Sequence, residues 1–232
     1  MNLVLLVGGG FIAVEGAANL VYWYYFPHSA GARWWWEIGR VIRIVVGLII
    51  ATITAAARLG RILPLRWAFA VYVEIFRNTP LLVQILLLFL GPSELGFRLD
   101  GVQTLAVCLA LNMGAYLSEI VRGGLQSVPR GQLEAAAAIG LAPSRTFFEI
   151  VLPQALRTIY PSLSNQFISA ILSSSLGAVI GAGELTTQVL EVNSQTYRTI
   201  ELLAFLALTY AVVSYLVAAG TRAFGRRLER AY

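Results

Sequence analysis

The sequence contains no lysine, and all 17 of its basic residues are arginine. A Walker A phosphate loop needs a Gly-Lys-Ser/Thr triplet, so this chain cannot form one. Lysine-based covalent chemistry is excluded for the same reason. ATP-driven work involving this chain must therefore be powered by another polypeptide. Histidine is almost as scarce: His28 is alone. That rules out paired-histidine metal sites and leaves a serine hydrolase nearly without a general base. The single cysteine, Cys108, lies in an apolar stretch and reads as a small core residue, with no partner for a disulfide or a cysteine metal cluster. Charged residues are only 12% of the chain. No catalytic residue, metal site or bound cofactor is expected.

What is present is apolar length. Hydrophobic residues make up 58% of the chain and mean hydropathy is +0.73, outside the range of soluble domains. Stretches at 3–26, 38–57, 67–91, 102–121, 159–180 and 200–221 approach or exceed the roughly 20 residues needed to cross a bilayer. The net charge of +5 does not point to nucleic acid. Its arginines gather at 58–66, around 122–157 and in the tail at Arg222, Arg226, Arg227 and Arg230, as the positive-inside rule expects of cytoplasmic loops. The chain reads as an all-α, multi-pass membrane protein with a cytoplasmic C-terminus. Residues 1–37 form a separate lead: an apolar segment ending in the aromatic run 22–26, then Trp34-Trp35-Trp36, which suits a membrane surface. The main body is 38–232. Glu15, within the first apolar stretch, is open to a functional or an interfacial reading.

Several crossings carry polar groups. Glu74 and Arg77 are three apart and expected to pair, and Pro80 is expected to kink the same crossing. Asn112, Tyr116 and Glu119 share a helix face. Ser162, Ser164, Asn165, Gln166, Ser169 and Ser173 to Ser175 crowd the crossing at 159–180. Two readings stand for such groups: polar glue between helices, or a solute pathway.

Between two crossings lies a polar island, 122–158. Pro129 opens it, Glu134 to Ile139 is a run of helix formers, and Gly140 suits a helix end. A second short helix is expected from Ser144 as N-cap toward Pro153. The small residues allow another protein to approach closely, which makes the island a docking element.

The spacing Glu134-Ala135-Ala136, three residues, Gly140, nine residues, Ile150, one residue, Leu152-Pro153 resembles the EAA motif of ABC importer permeases. Residues 72–84, 115–124, 126–129, 152–157 and 179–181 are similar to permeases of the polar amino acid uptake family, in the same order. The resemblance implies a type I ABC importer permease fold of five helices, against six apolar stretches here. It also implies a cytoplasmic coupling helix, with Glu134, Ala135, Ala136, Gly140, Leu141, Ile150, Leu152 and Pro153 meeting or joining the ATPase contact. The implied partners are an ATPase dimer holding ATP and magnesium, an identical or similar second permease subunit, an extracytoplasmic amino acid binding protein, and membrane lipid, in the bacterial inner membrane. Gln84, Asn112, Tyr116, Glu119, Ser173, Ser174 and Ser175 are the candidate solute-pathway residues. Many relatives carry Lys-Asp-Thr-Ser where this chain has Leu172-Ser173-Ser174-Ser175, so an acidic cation-binding residue does not carry over. The rival reading is a secondary amino acid transporter without an ATPase, for which broken helices would fit but no convincing inverted repeat is visible.

Overall fold

The computed structural model describes residues 63–230 together with Ile49, Ile53 and Thr54. The expected crossing at 3–26 and the surface segment at 27–37 lie outside the described residues, as does all but those three positions of 38–57. Among the described residues every regular element is helical.

Helices α1 (Leu63–Asn78) and α2 (Leu81–Glu94) occupy the apolar stretch expected at 67–91, and their axes turn by 107° at Thr79–Pro80. A kink was expected from Pro80; the result is an elbow. Helix α3 (Gly101–Gln126) is longer than its apolar run. Asp100 caps its start by accepting a hydrogen bond from the Val102 amide at 3.2 Å. The short α4 (Arg130–Ala138) follows. A single turn, Pro143–Arg145, then leads through the π-helical turn Thr146–Val151 into α5 (Leu152–Ser173). The chain tightens to a 3-10 helix over Ser174–Ile180 before α6 (Leu185–Thr196) and the long α7 (Thr199–Arg230).

By length and apolarity α3, the run Pro143–Ile180 and residues Thr199–Ala223 can each cross a membrane, and the elbow pair makes a fourth crossing if counted as one. The stretch between Ile180 and Thr199, which joins two candidate crossings, contains α6.

The frame is α3 packed along α5, with α1 and α2 against α3 and α7 against α5. Close approach sets the α3–α5 contact: a Cβ on Gly124 would stand 1.9 Å from Ile159 Cγ2. Met113 and Leu117 of α3 pack with Phe167 and Ala170 of α5. Ile171 joins Leu185, Val189 and Val192 of α6 to Tyr210, Val213 and Val217 of α7. The Tyr160 hydroxyl donates to the Thr221 carbonyl at 2.6 Å, a buried link from α5 to α7. Cys108 is buried with Ile85, Leu105 and Ile180, as its apolar setting implied. Outward-facing Leu203, Leu208, Val212 and Leu216 of α7 are exposed apolar side chains, the surface a helix presents to lipid.

Candidate functional site

The island folds from its own sequence. Pro129, in extended conformation, precedes α4, and its fixed φ and missing N–H cost nothing at a helix start. At the other end Gly140 adopts φ +72°. Its amide donates to the Ala137 carbonyl at 3.0 Å and the Leu141 amide to the Ala136 carbonyl at 3.0 Å, which is the Schellman pattern. Glu134, Ala135 and Gly140 face outward. Ala136 does not: it is 1% exposed and packs within the chain, so of the small residues in the motif it faces inward. Ile139, at 78% exposure, and Phe148 extend the outward face with apolar surface.

The second short helix departs from expectation. Ala142, not Ser144, occupies the N-cap, because Pro143 is pre-set for the first helical position. The turn that follows is wide, with the Leu152 amide reaching back to the Phe147 carbonyl. Pro153 supplies the reason: it has no N–H, and its ring would press on the carbonyl four residues back, at Glu149, in an ordinary α-turn. Ile150, Leu152 and Pro153 thus form the joint between the island and α5, all partly buried.

The elbow gathers three of the candidate pathway residues. Phe76 would normally give its carbonyl to the amide of residue 80, which is proline and has none. Gln84 Nε2 donates to that carbonyl at 2.9 Å, and Asn112 Nδ2 does so at 3.3 Å. Gln84 Nε2 also reaches the Thr79 carbonyl at 3.0 Å and Thr79 Oγ1 at 2.9 Å, while its Oε1 accepts from Asn112 at 3.3 Å. The Tyr116 hydroxyl donates to the Arg77 carbonyl at 3.4 Å, and the Arg77 guanidinium lies 5.4 Å from the Tyr116 ring centre. The expected Glu74–Arg77 pair gives way to a bond from Asn78 Nδ2 to Glu74 at 2.8 Å, since Arg77 is drawn to the ring.

The other candidates lie elsewhere. Glu119 is paired with Arg122, one turn further along α3, and Arg122 also donates to Gln126. Ser174 and Ser175 return their hydroxyls to the carbonyls of Ile171 and Leu172, both at 2.7 Å, where the helix tightens. Ser173, partly buried, ends α5. On the same helix Ser162, Asn165 and Ser169 are exposed at helical spacing, a polar stripe on a crossing segment.

One buried carboxylate was not singled out by sequence reasoning. Glu184 is 4% exposed and caps α6, accepting the amides of Thr186 and Thr187 at 2.8 Å each. Tyr210 of α7 donates to it at 3.2 Å. Burial pushes its carboxyl above the ordinary range, and the threonine bonds pull it partly back. The available signal was a Glu directly before Leu-Thr-Thr, in the position of an N-cap.

Residues 44–230 match the family described as binding-protein-dependent transport system inner membrane component. The chain is 36% identical over 213 residues to the L-cystine transport system permease protein TcyB of Bacillus subtilis strain 168, covering 91% of each chain. It is 34% identical to the probable glutamine ABC transporter permease protein GlnM of the same organism, covering 84% of this chain and 90% of the other. Among solved structures, an amino acid ABC transporter crystallised with histidines superposes with a TM-score of 0.77 at 29% identity, covering 96% of this chain and 94% of the other.

Proposed function

Because the chain belongs to the inner-membrane components of binding-protein-dependent transport systems, the permease subunits of ABC importers, we propose that it carries polar amino acids into the cytoplasm by alternating access. Membership implies an ATPase partner and a binding protein, and ATP hydrolysis belongs to the separate subunit. The amino acid class rests on the cystine, glutamine and histidine named for its relatives. The secondary-transporter alternative has no support among them.

One observation carries the coupling reading. Helix α4 has 9 residues, too few to cross, yet it holds Glu134, Ala135 and Gly140 outward on a loop between two crossings. Glu134 can pair with a partner's arginine, and the alanine and glycine admit close contact. In this reading Leu141, Ile150, Leu152 and Pro153 transmit the ATPase motion to α5, and ATP with magnesium stays on the ATPase dimer. Two crossings separate the island from the arginine-rich tail, so both lie on one face, and their arginines favour the cytoplasm. The stripe of Ser162, Asn165 and Ser169 supports a second permease subunit, identical or similar, because polar groups on a crossing helix need protein or water beside them. We place the boundary between the N-terminal lead and the transport body near residue 38.

The test is reconstitution with the ATPase partner in nanodiscs. Glu134→Arg combined with Gly140→Trp is expected to lower stimulated ATP hydrolysis by about tenfold or more, with insertion unchanged. Equal stimulation by the variant would remove the coupling reading. Uptake of labelled L-cystine and L-glutamine tests the solute class.

A further inference from the structure

We infer that Gln84, Asn112 and Tyr116 are positioning residues that hold the α1–α2 elbow, and that they are not solute ligands. The inference rests on the permease reading only for its functional meaning; the geometry stands without it. Breaking a helix inside a membrane leaves the last carbonyls of its first half without amide donors, and no water is there to replace them. At this elbow Pro80 removes the donor for Phe76, and the 107° turn carries the following amides away from α1.

Three side chains restore what was lost. Gln84 and Asn112 both donate to Phe76, Gln84 also serves Thr79, and Tyr116 serves Arg77. Gln84 comes from α2, while Asn112 and Tyr116 come from α3 and lie one helical turn apart. The bent strut is thereby tied to its neighbour at a fixed angle. The Tyr72 hydroxyl adds a fourth tie from α1, donating to the Leu111 carbonyl of α3 at 2.5 Å. The carboxamide N–H groups that would greet a solute are already committed within the elbow, to the Phe76 and Thr79 carbonyls, Thr79 Oγ1 and Gln84 Oε1.

The mechanism requires donors, not merely volume, at Gln84. Gln84→Leu and Gln84→Glu keep comparable bulk, but neither offers an N–H, and the ionised glutamate would face carbonyl oxygens. Only the glutamate can recover a donor, by taking a proton. That recovery occurs on acidification, and it is read as a pH response of the elbow geometry.

The experiment uses the assembled transporter in nanodiscs, with spin labels at Trp67→Cys on α1 and Leu87→Cys on α2. Both sites are exposed, at 65% and 73%, and the lone Cys108 is replaced by alanine. Labelled chains are diluted with unlabelled ones so that the distance measured is within one chain. The parent is expected to give one narrow distance. Gln84→Leu and Asn112→Leu should each broaden and lengthen it, and Gln84→Glu should do so at neutral pH but return toward the parent on acidification. Uptake of labelled L-cystine and L-glutamine adds the functional split: turnover falls about tenfold with KM unchanged for a positioning residue, whereas KM rises for a ligand.

Parent-like distances in both leucine variants, or a Gln84→Glu protein indifferent to pH, would overturn the inference. So would a raised KM with unchanged turnover. If Gln84→Leu does not insert, Asn112→Leu and the pH response of Gln84→Glu decide alone. Failure of the permease reading would appear separately, as ATPase coupling insensitive to the island variants.

Discussion

Two helix ends in this molecule meet the same difficulty in different solvents. At the end of α4, in the island, the orphan carbonyls of Ala136 and Ala137 are served by the next two backbone amides, made reachable by the left-handed Gly140. At the end of α1, in the bent pair of helices, the orphan carbonyls of Phe76, Arg77 and Thr79 are served by side chains, one from α2 and two from α3. The island can close locally because any group left over finds water. At the elbow the following amides are turned away by 107°, so its repair recruits tertiary structure. A local cap makes a self-contained docking piece; a borrowed cap ties two crossings together.

The comparison can be broken most forcefully at the elbow. Gln84→Leu leaves the Thr79 carbonyl unserved and Phe76 half-served, and should cost about 2–3 kcal/mol in detergent unfolding. The loss should be strongly non-additive with Asn112→Leu, because the two amides share an acceptor and each other. In the island Gly140→Val should cost about 1–2 kcal/mol from left-handed strain. Amide exchange should then rise over 134–141 while α3 and α5 stay protected. Gly140→Asn, which tolerates that conformation, should cost well under about 1 kcal/mol.

Glu184 sharpens the contrast from a third setting, a carboxylate cap that is buried but flanks the crossings rather than lying in one. Its folded pKa is raised by burial above the ordinary 4.5. Its proton-linked contribution to stability is therefore full below that value and is lost as pH rises through the raised one. The melting temperature should accordingly gain on acidification, relative to Glu184→Gln, and the variant should lack that part of the response.

These differences in solvent also explain what could be read from the residues in advance. The crossings at 102–121, 159–180 and 200–221 and the island were visible because apolar length, Pro129 and Gly140 act locally. Pro80 announced a kink, but not its severity, since the angle depends on Asn112, 28 positions after Gln84 and on another helix. The pathway candidates follow from polar residues at motif positions, and neither polarity nor position reveals that Gln84, Asn112 and Tyr116 are turned onto backbone. Ala136 looked equivalent to Ala135, and tertiary packing, which buries Ala136 alone of the two, separates them. Ser144 lost its expected N-cap role because Pro143, one residue earlier, starts the helix.

The stripe of Ser162, Asn165 and Ser169 has a consequence beyond the transport cycle. An unassembled copy of this chain would turn three hydrogen-bonding side chains toward hydrocarbon, a state the bilayer penalises. On the proposed two-subunit reading, a copy made without its partner is expected to be cleared faster than the assembled subunit, which a pulse-chase with and without the partner checks.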